Sequence, residues 1–226
     1  MVVGRFCGLA DVTPTKFGLS NNLVTKASNF GKQRRVNDFL NLTFTGRVGS
    51  RLDVGGGIDT GRSVSERCFV VDSPQELRDC KVVTPFGAQT QLKLHGSYRL
   101  PGEVFVSAVF QNMSGPEIDA SYSATNAEIA PTLGRSLAGN ARTAPVAANL
   151  VPLGTMFEGR ITRLDTRISK RLAITRRLRA DGYIDAYNVL NGSGILTGTN
   201  VYGPRWLVPT TIVEGRLIQF GANITF

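Results

Sequence analysis

Long hydrophobic runs are missing from this chain. Nowhere in its 226 residues do apolar residues accumulate to the roughly 20 in a row that a membrane-spanning helix needs. That excludes a helical membrane protein. It does not exclude a β-barrel, whose strands are apolar only at every second residue. A mean hydropathy of −0.03 fits such a pattern. Histidine is nearly absent: His95 is the single one, with polar neighbours at alternating positions, which suits a surface or channel wall better than catalysis. Only three cysteines occur. None forms a C-x-x-C pair with a histidine partner, so a zinc site has no ligand set and no metal or cofactor is expected. No charged segment followed by an apolar core succeeds Met1, where Val2, Val3, Gly4 and Arg5 stand. An exported protein needs such a leader, so the expectation is a piece whose beginning lies upstream.

Charge is present and strongly unbalanced, with a formal net charge of +9. A cluster of such charge would point to nucleic acid. Here the arginines and lysines are spread along the whole chain, without a helix-turn-helix, zinc-finger or RNP-like motif. The expectation is therefore no nucleic-acid partner, with the cations lying on loops and on a polar wall.

Strict alternation dominates what remains. Leu40, Leu42 and Phe44 oppose Asn41, Thr43, Thr45 and Arg47 between Val36 and Val48. Leu52, Val54 and Ile58 oppose Asp53 and Asp59 between Arg51 and Gly61. Leu92, Leu94, Tyr98 and Leu100 oppose Gln91, Lys93, His95, Ser97 and Arg99. Val104, Val106, Ala108 and Phe110 form one face of a fourth segment, whose other face mixes Phe105 and Val109 with Ser107 and Gln111. Leu164 and Ile168 oppose Arg163, Asp165, Arg167 and Ser169. Ala180, Ile184 and Ala186 oppose Arg179, Asp181, Tyr183, Asp185 and Tyr187. Ile218, Phe220, Ala222, Ile224 and Phe226 oppose Gln219, Gly221, Asn223 and Thr225. The pattern predicts an all-β fold: an antiparallel meander of about seven strands of about ten residues, the length that crosses an outer membrane at a tilt. Charges such as Arg163, Asp165, Arg167, Arg179, Asp181 and Asp185 would be costly in a dry core but suit a lumen. Lys93, His95 and Arg99 join them as lumen-facing candidates.

Connections alternate in length. Tight turns are expected at Gly49-Ser50, at Pro101-Gly102 and within Leu172–Ile174. Long polar connections are expected at Val64–Gly87, Asn112–Phe157 and Asn191–Thr211. Outer-membrane barrels have short periplasmic turns and long extracellular loops. Residues 1–35 lack a strand period and read as an extracellular-side loop; residues 36–226 read as the strands of an open, partial barrel. Gly55-Gly56-Gly57 is not a phosphate loop, because no Lys-Ser or Lys-Thr follows; these glycines ease curvature or close packing. Asp181 and Asp185 invite a glycosidase reading, but their alternation on one strand face suits a wall better, and no catalytic residue is assigned.

The chain closes on Gln219-Phe220-Gly221-Ala222-Asn223-Ile224-Thr225-Phe226. Gln219, Gly221, Ile224 and Phe226 resemble the assembly signal of outer-membrane proteins, which is read by strand addition to the barrel assembly machinery. Together with Arg163–Lys170, Asp185–Asn191, Pro209-Thr210 and the junction Ala27–Gln33, this closing strand resembles the C-terminal end of TonB-dependent receptors, above all the large Oar-like receptors of Acidobacteria. The resemblance implies an outer-membrane location, a 22-stranded barrel in lipid, an N-terminal plug that contacts TonB and is not present here, and active uptake of an unidentified small ligand. A passive porin or an adhesive barrel is the alternative, and an upstream plug would discriminate between them; a soluble β-sandwich is a third reading. Cys68 and Cys80 flank part of one long loop that this topology places in an oxidising exterior, so they are expected to form a disulfide, with Cys7 left over.

Overall fold

The computed structural model describes residues 9–69, 74–139, 146–175 and 177–226; Cys7 lies outside them. Its strands are β1 (Gly31–Val48), β2 (Leu52–Phe69), β3 (Lys81–Thr84), β4 (Gln91–Leu100), β5 (Val104–Met113), β6 (Ser121–Ala124), β7 (Val146–Asn149), β8 (Ile161–Ala173), β9 (Arg179–Tyr187), β10 (Ile195–Gly198), β11 (Pro209–Ile212) and β12 (Leu217–Thr225). Two short helices, α1 (Phe86–Gln89) and α2 (Asn126–Leu133), sit in the connections. The main sheet runs β1-β2-β4-β5-β8-β9-β12, with β3 added beside β2. Every neighbour in it is antiparallel. It is an open meander, not a closed barrel, and β1 and β12 are its edges.

The registers share one property that organises the whole molecule. Across all six interfaces of the seven-strand path, even-numbered residues pair only with even, and odd only with odd. Residues directly opposite each other lie on the same side of a sheet, so the two faces are the two parities. One row crosses all seven strands as Val48, Leu52, Tyr98, Val106, Ile168, Ile184 and Phe220. The odd row beside it reads Arg47, Asp53, Ser97, Ser107, Arg167, Asp185 and Gln219. The even face carries no protein cover. Leu40, Leu42, Phe44, Ile168 and Phe220 are each more than half exposed.

The strand ends step along this frame. The turn follows Val48 at once on β1, but Leu100 lies two residues beyond the row at Tyr98, Ala173 five beyond Ile168, and Phe226 six beyond Phe220. The stagger is about one residue per strand. That offset is what tilted strands produce, at roughly the 35–45° of barrel walls.

Two boundaries differ from the sequence reading. β1 begins at Gly31 rather than Val36, and β2 continues to Phe69 rather than stopping at Gly61. Beyond Leu40 and Thr60 polar and charged residues enter both faces among Phe39, Val36 and Val64, so the alternation fades, yet backbone pairing continues unbroken to Gly31 opposite Phe69. β3 pairs with β2 over Ser63–Glu66, and a disulfide joins Cys68 to Cys80. The third short turn lies at 174–178, after β8 has passed through Leu172.

Among the described residues, most of the buried apolar side chains sit in the long connections rather than in the sheet, with Ile161 at the start of β8. Ala120, Ala124, Leu137, Ala148, Ile161 and Val213 are the buried apolar residues. β6 pairs with β7, and β10 with β11. Ser121 donates its amide to Asn200 O at 2.8 Å, and Trp206 Nε1 donates to Asp119 O at 2.8 Å, tying the β5–β8 connection to the β9–β12 connection. Asn149 Nδ2 donates to Asp79 Oδ2 at 3.0 Å, joining the β2–β4 connection as well. Arg160 fastens this cap to the strand ends, donating to Asn112 Oδ1 at 2.7 Å, Thr90 O at 2.8 Å and Gly87 O at 3.2 Å. Helix α2 opens with a reciprocal cap: Glu128 accepts from the Thr125 amide at 2.8 Å and also from the Tyr122 hydroxyl, while its own amide donates to Thr125 Oγ1.

Glycine matters where strands crowd. A Cβ on Gly57 would lie 2.5 Å from Leu42 O, and one on Gly56 would strike Lys93 O; both obstacles are backbone. At Gly182 the space is open. Gly57→Val is expected to destabilise the sheet by about 1–3 kcal/mol, and Gly182→Ala to change it by less than about 0.5 kcal/mol, read from urea midpoints in detergent.

Glu128 provides a pH prediction. The Tyr122 hydroxyl first, and then the Thr125 amide and hydroxyl, hold its carboxyl below the ordinary range. A depressed folded pKa contributes stability that is present above the unfolded value, about 4.3, and is lost as pH falls through the folded value. Amide exchange at Ile129 and Gly134, corrected for its intrinsic pH dependence, is expected to accelerate on acidification below about pH 4. Glu128→Gln should abolish that acceleration.

Candidate functional site

The odd face is the chemically rich one. All nine side chains expected to line a lumen are odd-numbered strand residues and lie on it: Lys93, His95, Arg99, Arg163, Asp165, Arg167, Arg179, Asp181 and Asp185. The structure brings five of them, Arg163, Asp165, Arg167, Asp181 and Asp185, into a ladder on β8 and β9. Arg163 Nε donates to Asp165 Oδ1 at 2.9 Å, and the same oxygen accepts the Asn188 amide at 2.8 Å. Arg167 makes a fork onto Asp185 at 2.5 and 2.7 Å, and Tyr187 adds its hydroxyl at 3.2 Å. The Arg167 guanidinium also lies 4.5 Å from the Tyr183 ring centroid. Asp181 accepts from Arg171 Nε at 2.8 Å. Asp181 and Asp185 are thus each engaged by an arginine, as links in a wall.

Four of the nine stand apart from the ladder. Arg99 bonds Glu103 at 2.7 Å and lies near the Phe105 ring, which Arg171 approaches from the other side. The His95 ring stands over Gly55, where a Cβ would meet its Nε2 at 2.7 Å. Lys93 pairs in register with Gly57 and Gln111, and Arg179 with Ala173 and Thr225. His95 lines an open depression of about 620 Å³ with Thr45, Arg47, Asp53, Ser97, Ser107 and Val109. Most of the lining side chains are odd-numbered, with the even-numbered Val54 and Ala108 among them. Among the described residues no group of three or more His, Cys, Asp and Glu could hold a metal ion.

In the closing strand, Gly221 lies beneath the Tyr183 ring, and any Cβ there would collide with it. Gln219 pairs with Asp185, Ile224 sits on the even face, and Phe226 is 97% exposed. Among the described residues, β12 has β9 as its only strand neighbour.

Sequence reasoning missed Arg171, which pairs with Asp181, and Asn188, which is 2% exposed. Asn188 takes a left-handed backbone (φ 48), which asparagine tolerates better than most residues. Its side chain donates to Gly192 O at 2.9 Å and Glu214 O at 2.7 Å, closing the base of the last long connection. An asparagine directly after a strand with glycine four residues on is the signal that marks it.

Compared with family models, with curated proteins and with solved structures, the chain has no match in any of the three.

Burial separates the ion pairs by strength. Asp185 is almost enclosed while Asp53 is half exposed, and their arginines are both solvent-accessible. A double-mutant cycle on Arg167→Met and Asp185→Leu is expected to give a coupling of about 1–2 kcal/mol, between exposed and buried pairs. The same cycle on Arg47 and Asp53 should give less than about 0.5 kcal/mol. Arg167→Lys should lose most of the first coupling, because an ammonium cannot make the two-pronged contact or stack on Tyr183. Urea unfolding of the four species of each cycle measures this.

Proposed function

We propose that this chain is a stretch of outer-membrane barrel wall, the C-terminal strands and exterior loops of a TonB-dependent receptor that takes up a small ligand. One observation carries the reading: an apolar face seven strands wide, with its large side chains uncovered, backed by a face that is polar and charged. In water, an exposed apolar patch of that extent is a liability. In lipid it is the required surface, because a bilayer accepts apolar side chains and the paired strands leave no backbone polar group unsatisfied except at the open edges. On β1 the apolar stretch from Leu40 to Val48 spans about 26 Å along the strand, or about 20 Å after tilting, close to the apolar band of such barrels.

The receptor class rests on the residues that resemble it and on strand arithmetic. β1 and β12 both run from the loop end to the short-turn end, because five antiparallel strands lie between them. An all-antiparallel wall therefore needs an odd number of further strands. A second copy of this sheet, set the same way up, would meet β12 with a parallel β1. A 22-stranded barrel with a plugged lumen supplies an odd remainder. In that reading the charged odd face lines the lumen against the plug, the plug contacts TonB, and the cap of ordered loops faces the exterior. The disulfide of Cys68 and Cys80 is then an extracellular one.

The end of the chain tests this. Phe226 on the even face would contribute roughly 2 kcal/mol by burial in lipid, too little to decide whether a large barrel survives once built. Its larger role is recognition by the assembly machinery. Deleting Phe226 from the full-length protein is expected to lower the amount reaching the outer membrane far more than the melting temperature of molecules that arrive; Thr225→Ala should do neither. Membrane fractionation with heat-modifiability on gels reads both. Equal outer-membrane levels for deletion and parent would overturn the assignment.

A further inference from the structure

We propose that the outward face of the β1–β2 extension binds the phosphate groups of a glycolipid headgroup in the outer leaflet. The inference rests on the barrel-wall reading above. It comes from following the even parity past the apolar belt.

On β1 the even residues beyond Leu40 are Asp38, Val36, Arg34 and Lys32. Their partners on β2 are Arg62, Val64, Glu66 and Cys68. The register runs unbroken from the belt into this extension, so these side chains stand on the same side as Leu40, Leu42 and Phe44. Lys81 on β3 pairs with Glu66 and joins them on that side. The apolar surface therefore passes directly into a surface bearing Lys32, Arg34, Arg62 and Lys81 against Asp38 and Glu66. All four cations are exposed. Glu66 stands opposite Arg34 and Lys81 in register, and its one ion pair is with Lys32, whose Nζ lies 3.8 Å from it. Among the described residues, Arg34, Arg62 and Lys81 have no ion-pair partner. Their charge is held where an anion can approach from the lipid side.

Height selects the occupant. Arg62 is two residues beyond Thr60, about 5 Å above the belt after strand tilt, and Arg34 is six beyond Leu40, about 15 Å above it. The polar zone of a phospholipid leaflet is only about 5–8 Å thick, so a single shallow phosphate reaches Arg62 but not Arg34. A phosphorylated sugar headgroup extends farther and meets both levels, and long guanidinium stems can lean toward it. Arginine suits this role because its planar fork matches phosphate oxygens. The charged face of the lumen cannot compete for the same ligand, since it has the opposite parity.

The experiment uses the 226-residue chain with phosphatidylcholine vesicles that contain lipid A, dephosphorylated lipid A, or neither, read by co-sedimentation. The double variant Arg34→Gln/Arg62→Gln is compared with Arg51→Gln/Arg177→Gln, which removes equal charge at the short-turn end. Binding to lipid A vesicles is expected to weaken about thirtyfold in the first variant, as about 1 kcal/mol per cation implies. The second variant should bind as the parent does, and added salt should erase the difference. Circular dichroism checks that both variants keep their strands. Parent-like binding by the first variant, or equal parent binding to the dephosphorylated lipid, overturns the headgroup site while leaving the barrel wall intact. Failure of the parent to associate with any of the vesicles overturns the barrel wall itself, and the site with it.

Discussion

Conservation of parity across the sheet is the constraint on which the rest of the structure depends. A slip of one residue at any of the six interfaces would exchange the faces of every strand beyond it. Were β8 to slip against β5, for example, Arg163, Arg167 and Arg171 would join the face of Phe44 and Leu94. Exposed to lipid, such charges cost about 2–4 kcal/mol each near the bilayer midplane. Exposed to water, the displaced apolar rows would gain nothing. The penalty for a slip thus sums over whole strands, whereas no single pair in the sheet has to be strong.

Several local contacts make the register narrower still. Arg47 with Asp53, Arg167 with Asp185, and Arg171 with Asp181 are direct cross-strand partners. Phe39 over Gly61, His95 over Gly55 and Tyr183 over Gly221 place a ring against a directly opposed glycine, all on the odd face. A ring with a glycine opposite it fits at one register and collides with a Cβ at its neighbours. The polar face therefore holds the alignment that keeps the other face apolar.

The sheet and the cap follow opposite physical logics. The sheet exposes its large apolar residues and buries little, while the connections enclose a small set of alanines with Leu137 and Val213, against Ile161 at the start of β8. Such a small core holds only because hydrogen bonds join three connections far apart in sequence, through Asn149 with Asp79, Ser121 with Asn200, and Trp206 with Asp119. Arg160, bound to three backbone carbonyl or amide oxygen sites at the ends of β4 and β5, couples cap to wall.

The sequence by itself determined the seven long strands, their order and which residues share a face. Period-two alternation is a local property, and short turns force consecutive strands to pair. It also marked Cys68 and Cys80 as partners, through their places on one long connection. It understated β1 and β2, because in Lys32–Asp38 and Arg62–Glu66 polar and charged residues occupy both faces, interrupted only by Val36 opposite Val64, and leave no alternation to read; there the strands persist through pairing, β3 and the disulfide. The ladder residues were legible as a charged face, but which arginine meets which aspartate depends on register: Asp181 faces Arg171 and Asp185 faces Arg167, and a shift of two residues would keep the faces while changing the partners. The order of the long connections was not legible at all. Their contacts join residues separated by as many as 87 positions, as Asp119 and Trp206 are, and no local pattern encodes such a pairing. Only the assembled sheet, by holding the three connections side by side at one end, decides that they pack together.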